Sequence, residues 1–124
     1  VPIFYVHYTH PDEALWRVHL ESHLRWIEDQ VCNETLRISG PTVGASVREG
    51  NLLMAAQDRT ELRALLDTDP FVHQGVVGNL TIRQIDPVFG LWNDESSFAG
   101  LTVDEILEDV GPRPLDSHPR STTL

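Results

Sequence analysis

Residues 69–83 read Asp-Pro-Phe-Val-His-Gln-Gly-Val-Val-Gly-Asn-Leu-Thr-Ile-Arg. Helical geometry is disfavoured immediately before a proline, so a helix over Arg59–Asp67 should end at Asp69-Pro70 and Asp69 should turn away from its axis. The β-branched run that follows predicts a strand from about Val77 to Ile85, closed by Asp86-Pro87. Two landmarks lie upstream, His23 inside an amphipathic segment and the turn Gly40-Pro41. Together the three segments suggest that a histidine and an aspartate, distant in sequence, meet in one pocket. Such a pair is a working acid/base unit, because the carboxylate fixes the imidazole tautomer and stabilises the protonated ring.

Working back from residue 69, Asp58 caps the second helix, with Leu62, Leu65 and Leu66 facing a core. The segment 51–56 is almost wholly apolar and reads as a buried strand. A loop of small residues occupies 42–50, and a strand over 35–39 precedes it. Before that comes a long helix reaching about Val31, whose apolar face is expected to carry Leu15, Val18, Leu20, Leu24, Ile27 and Val31. Thr9 or His10 should cap it, with Pro11 in the first turn and Asp12 and Glu13 at the positive end of its dipole. Residues 2–8 alternate as a strand, with Val6 and His7 on opposite faces.

The order is β-α-β-β-α-β, a ferredoxin-like α+β pattern: a four-stranded antiparallel sheet with two helices on one face. The bare face needs a cover, and a second copy of the chain is the usual one, giving a homodimeric α+β barrel. This domain is assigned to residues 1–88. Residues 89–124 form a C-terminal extension that packs on its own or the partner subunit. Within it lie a short helix at about 102–109, opened by a Thr102–Glu105 capping box, and a tail expected to lie along a neighbouring subunit or the sheet edge.

Composition narrows the function. Nine Lys+Arg against 19 Asp+Glu leave a formal charge of -10, which argues against nucleic acid and against anionic membranes. No apolar run approaches the roughly 20 residues of a membrane span. The single Cys32 allows no intrachain disulfide and fits a reducing, cytoplasmic setting. His19 and His23 share a helix face at a spacing that can hold a metal, but no His-Glu-x-x-His arrangement is present and no metal site is assigned. The glycines make no nucleotide loop and the serines no nucleophile elbow. Trp16, Trp26 and Trp92 are expected to fill cores or subunit contacts rather than an aromatic-binding pocket.

Asp69-Pro70-Phe71-Val72 with Gly75-Val76, His23-Leu24 and Gly40-Pro41, in this order, resemble the YciI-like (YCII-related) family across residues 3–86. The resemblance implies a dimeric α+β barrel whose pocket is centred on His23 and Asp69. The family resembles muconolactone isomerases in fold and looks like the group containing a dehydrochlorinase of chlorinated hydroxyhydroquinones. That chemistry moves a proton, sometimes with loss of a leaving group, and requires no cofactor. The chain departs from the family in carrying Thr9-His10 where an aspartate is usual, and Arg17 six rather than seven residues before His23.

The expectation is a small enzyme of isomerase, lyase or dehydrochlorinase type acting on a cyclic, aromatic-derived small molecule. His23 and Asp69 would be catalytic, and Gly40, Pro41, Phe71 and His7 would contact substrate. His7 would touch substrate only if its face of the sheet lines the pocket, and otherwise belongs to the surface or dimer interface. A non-catalytic dimeric ligand-binding module is the alternative, and an oxygenase of the dimeric-barrel type a second.

Overall fold

In the computed structural model, residues 1–110 are described. The chain forms two compact units, one over Val1–Ile85 and one beginning at Asp86.

The first unit is built on strands β1 (Ile3–His10), β2 (Leu36–Pro41), β3 (Arg48–Ala55) and β4 (Leu80–Ile85). They form one antiparallel sheet in the order β2-β3-β1-β4. The helices are α1 (Glu13–Cys32), α2 (Arg59–Leu66) and a four-residue helix α3 (Pro70–His73). Phe4, Val6 and Tyr8 of β1 and Leu52 and Met54 of β3 point to one face. There they share a core with Trp26 of α1 and with Leu62 and Leu66 of α2. The strand period of two leaves Tyr5, His7, Asn51 and Leu53 on the other face. This is the ferredoxin-like α+β architecture read from the sequence.

Three local expectations are corrected. The cap of α1 is Asp12, whose side chain accepts from Leu15 N at 3.1 Å, rather than Thr9 or His10. Those two residues continue β1, where Thr9 is tied to Gly78 and Asn79 and His10 is buried.

The second correction concerns which face of α1 is inward. Val18, Leu24 and Val31 are exposed by 72%, 53% and 54%, whereas His23, Trp26 and Gln30 are buried. The buried stripe is therefore centred on 23, 26 and 30, with Ile27 packed beside it. Its polar members are accommodated because each has a partner: Gln30 Oε1 accepts from Thr35 Oγ1 at 2.6 Å, and His23 reaches Asp69.

Third, the chain after Asp69 does not run straight toward β4. Asp69 in extended geometry and Pro70 in the first turn open α3 instead. β4 consequently begins at Leu80 rather than Val77.

Gly50 is required by close approach. A Cβ there would lie 2.7 Å from Tyr8 Cδ1, and closer still to Cε1. Gly50→Ala should cost about 1–3 kcal/mol as the Tyr8 ring is displaced. Chemical denaturation of the two proteins at matched conditions checks this, and an unchanged midpoint contradicts it.

The second unit has a small core of Val88, Phe98 and Ile106 with Leu101 packed against it. The Asp86 carboxylate accepts from the Ser97 amide at 3.0 Å and from the Ser97 hydroxyl. α4 (Val103–Val110) opens with the expected capping box: Glu105 N to Thr102 Oγ1 and Thr102 N to Glu105 Oε1, both 3.2 Å. The tail assigned to 111–124 lies outside the described residues.

Candidate active site

Asp69 is wholly buried, a position an acidic side chain occupies only when its oxygens are filled. Three elements fill them. Oδ1 accepts from His23 Nδ1 of α1 at 2.8 Å and from the Phe71 amide of α3 at 2.9 Å. Oδ2 accepts from Tyr8 Oη of β1 at 3.1 Å. Asp69 is therefore the cap of α3 and the partner of His23 through the same oxygen. Tyr8 remains a neutral donor: burial first, and then the adjacent Asp69 charge, push its phenol far above the ordinary range.

His23 is held by aromatic neighbours. Its ring lies flat on Phe71, with centroids 3.8 Å apart and planes at 5°, while Trp26 stacks 6.2 Å away. A carboxylate can only accept, so Nδ1 carries the proton in this bond and Nε2 is left as the lone-pair nitrogen. His23 lines a cleft of about 430 Å³. The ends of β1, β2 and β3 form one side of it, and Trp16, Leu20, Leu24 and Ile27 of α1 the other.

The cleft brings together most of the residues singled out from the sequence. Gly40, Pro41 and Phe71 line it along with His23, and Asp69 sits behind His23. His7 does not line it. It projects from the opposite face of the sheet, where Nε2 is 3.1 Å from Glu49 Oε1. That hydrogen bond is the first cause of the Glu49 carboxyl lying below its ordinary range. The period of two dictates the outcome: Val6 and Tyr8 face the helices, so His7 between them cannot. Trp16, expected in a core or subunit contact, lines the cleft as well.

Among the lining residues not singled out as site residues are Tyr8, His10 and Arg48. Tyr8 and His10 share the parity of Phe4 and Val6 along β1, and that signal alone could have placed them beside the pocket. His10 is buried, its ring 4.7 Å from Phe71 and 4.8 Å from Tyr8, with Nδ1 3.4 Å from the Val76 carbonyl. Its pKa is held below the ordinary 6.5, chiefly by burial and further by His23 and Arg48; the Val76 carbonyl and Asp69 act in the opposite sense. Because the folded state favours the neutral ring, its contribution to stability is intact above about pH 6.5. That contribution is lost as pH falls from there toward the lower folded value. Denaturation midpoints measured from pH 8 to 5 should fall less steeply in His10→Gln than in wild type; parallel curves would refute this.

Among the described residues, no group of three or more His, Cys, Asp or Glu side chains could hold a metal ion, and no helix is long and apolar enough to cross a membrane. His19 and His23 belong to no such group.

Fold and site together define a ferredoxin-like α+β domain with a buried histidine–aspartate pair at the wall of an aromatic-lined cleft. The chain belongs to the family of the YCII-related domain, whose model matches residues 3–86. Among solved structures it is similar to 5-chloro-2-hydroxyhydroquinone dehydrochlorinase (TftG) from Burkholderia phenoliruptrix AC1100, in complex with 2,5-dihydroxybenzoquinone. The two are 19% identical with a TM-score of 0.54, over 67% of this chain and 93% of that one, a likeness of fold. No curated protein matches the chain.

Proposed function

We propose that the protein is a small acid/base enzyme of isomerase, lyase or dehydrochlorinase type, acting on a cyclic, aromatic-derived metabolite without a cofactor. The observation that carries this reading is the 2.8 Å bond between His23 Nδ1 and a fully buried Asp69, with His23 lining the cleft. Nε2 takes a proton from a ring carbon or hydroxyl, and Asp69 stabilises the imidazolium that forms. The proton then returns to a different ring position, which completes an isomerisation. Alternatively, the electron pair expels a leaving group such as chloride and the proton passes from Nε2 to solvent, which completes an elimination. Phe71 holds the imidazole plane while Trp16 and Leu20 supply an apolar wall for a flat ring. The dihydroxybenzoquinone bound by the dehydrochlorinase of similar fold supports this substrate class.

The reading includes a homodimer in which the sheet face bearing Tyr5, His7 and Leu53 packs against its copy. Sedimentation equilibrium tests that part separately from the chemistry.

Chlorinated hydroxyquinols and unsaturated lactones offered to the purified protein should be consumed, with chloride release or a shifted ultraviolet spectrum as the readout. Binding of such rings without turnover would support the ligand-binding module instead. Neither binding nor turnover would end the proposal.

A further inference from the structure

Arg48 opens β3 and lines the cleft, the one full cation among its described lining residues. Its guanidinium is not free to wander. The Cζ lies 3.7 Å above the centroid of Trp16, and Nε contacts Glu13 Oε1 and Oε2 at 3.0 and 2.9 Å. Stacking and the Nε bond use the flat face and one edge of the group. The two Nη groups remain without a partner among the described residues, side by side in the fork that matches two carboxylate oxygens. Directly across the β1–β3 ladder from Arg48 is His10. A carbonyl can only accept, so the contact with Val76 assigns the His10 proton to Nδ1. Nε2, which would lie 3.4 Å from a Cβ at Gly50, is then an acceptor beside the cleft.

We infer that Arg48 and His10 form the recognition end of the cleft, and that its ligand is a hydroxylated ring carboxylate. The carboxylate occupies the Arg48 fork with the ring toward Trp16, and a ring hydroxyl donates to His10 Nε2. The ring then extends between α1 and Phe71 toward His23 Nε2. This arrangement also answers an electrostatic problem. A chain of formal charge -10 repels an anion at long range, so an anionic ligand needs a fixed local cation. Glu13 orients Arg48 through Nε while leaving the fork for the ligand. The inference rests on the acid/base reading for the direction in which the ring points, whereas its test reads binding alone.

Titration calorimetry at pH 7.5 with 2,5-dihydroxybenzoate, its neutral isostere 2,5-dihydroxybenzamide and 2,5-dihydroxybenzoquinone provides that test. Wild type should bind the benzoate at least about tenfold tighter than the amide. Arg48→Met, which keeps the stem length over Trp16, should erase that preference by weakening the benzoate far more than the amide, and retained binding of the amide shows that the cleft is intact. His23→Gln should preserve the preference, so loss of turnover in that variant bears on the catalytic reading only. Equal binding of acid and amide by wild type, a preference that survives in Arg48→Met, or binding of the quinone alone would each overturn the assignment.

Discussion

His23→Gln should lower turnover by about 10²–10⁴-fold, the usual contribution of a positioned general acid/base group. Glutamine keeps a polar side chain of similar reach that can still donate to Asp69, so the carboxylate is not stranded. What it lacks is a basic nitrogen lone pair. The loss should therefore appear in kcat, with affinity for a ring ligand changed far less. The buried environment makes this a sharp experiment. The imidazole is stacked on Phe71 and Nδ1 is committed to Asp69, so no other orientation of the ring offers an equivalent base. A His23→Gln protein with wild-type kcat would remove His23 from the chemistry.

Two substitutions at Asp69 should differ sharply from each other. Asp69→Ala leaves three buried donors, from His23, Tyr8 and Phe71, without their acceptor. Each unsatisfied buried group costs roughly 1–3 kcal/mol, so a total loss of about 3 kcal/mol or more is expected in the free energy of unfolding. Asp69→Asn retains the shape and one acceptor oxygen, which can still serve the Phe71 amide. Its amide group can donate to Tyr8 Oη. Its stability loss should be clearly smaller than that of the alanine variant. Its turnover should nevertheless fall well below wild type, because a neutral amide, even with its oxygen still accepting from Nδ1–H, does not stabilise an imidazolium. Urea denaturation separates the two stability effects, and kcat at a single pH checks the shared loss. If Asp69→Asn keeps full kcat, Asp69 acts as a helix cap alone.

Much of the scaffold is legible in the sequence. Alternation in β1, the apolar run of β3 and the caps at Asp58 and Thr102 are local signals, and each names its element within a few residues. The meeting of His23 with Asp69 was reached from the three motifs taken together. No period in the chain would have shown it, since the two residues are 46 positions apart. The errors have identifiable causes. Hydropathy assigned Val18, Leu24 and Val31 to the inner face of α1, but the helix is turned so that a histidine and a glutamine are inside. Polar residues can be buried when a distant segment completes their bonding, and that information is not local. α3 escaped notice because a four-residue helix has no periodicity to read. Its one signal, Asp before Pro, also marks the end of the preceding helix. Arg48 was hidden in a loop of small residues, and only the fold brings Trp16 beneath it.

The three donors to Asp69 come from the first strand, the long helix and the short helix. The carboxylate thus acts as a keystone among segments that are separate in the chain, and none of them can leave without exposing a buried charge. The bond to a buried carboxylate should slow exchange of the His23 Nδ1–H, so that one ring proton is a local probe of the junction. Evolution of the pocket is constrained in the same way. The rim, built from the β2–β3 loop and the outer turns of α1, is free to change ligand preference, whereas altering the proton-transfer pair means rebuilding the joint that holds three elements together.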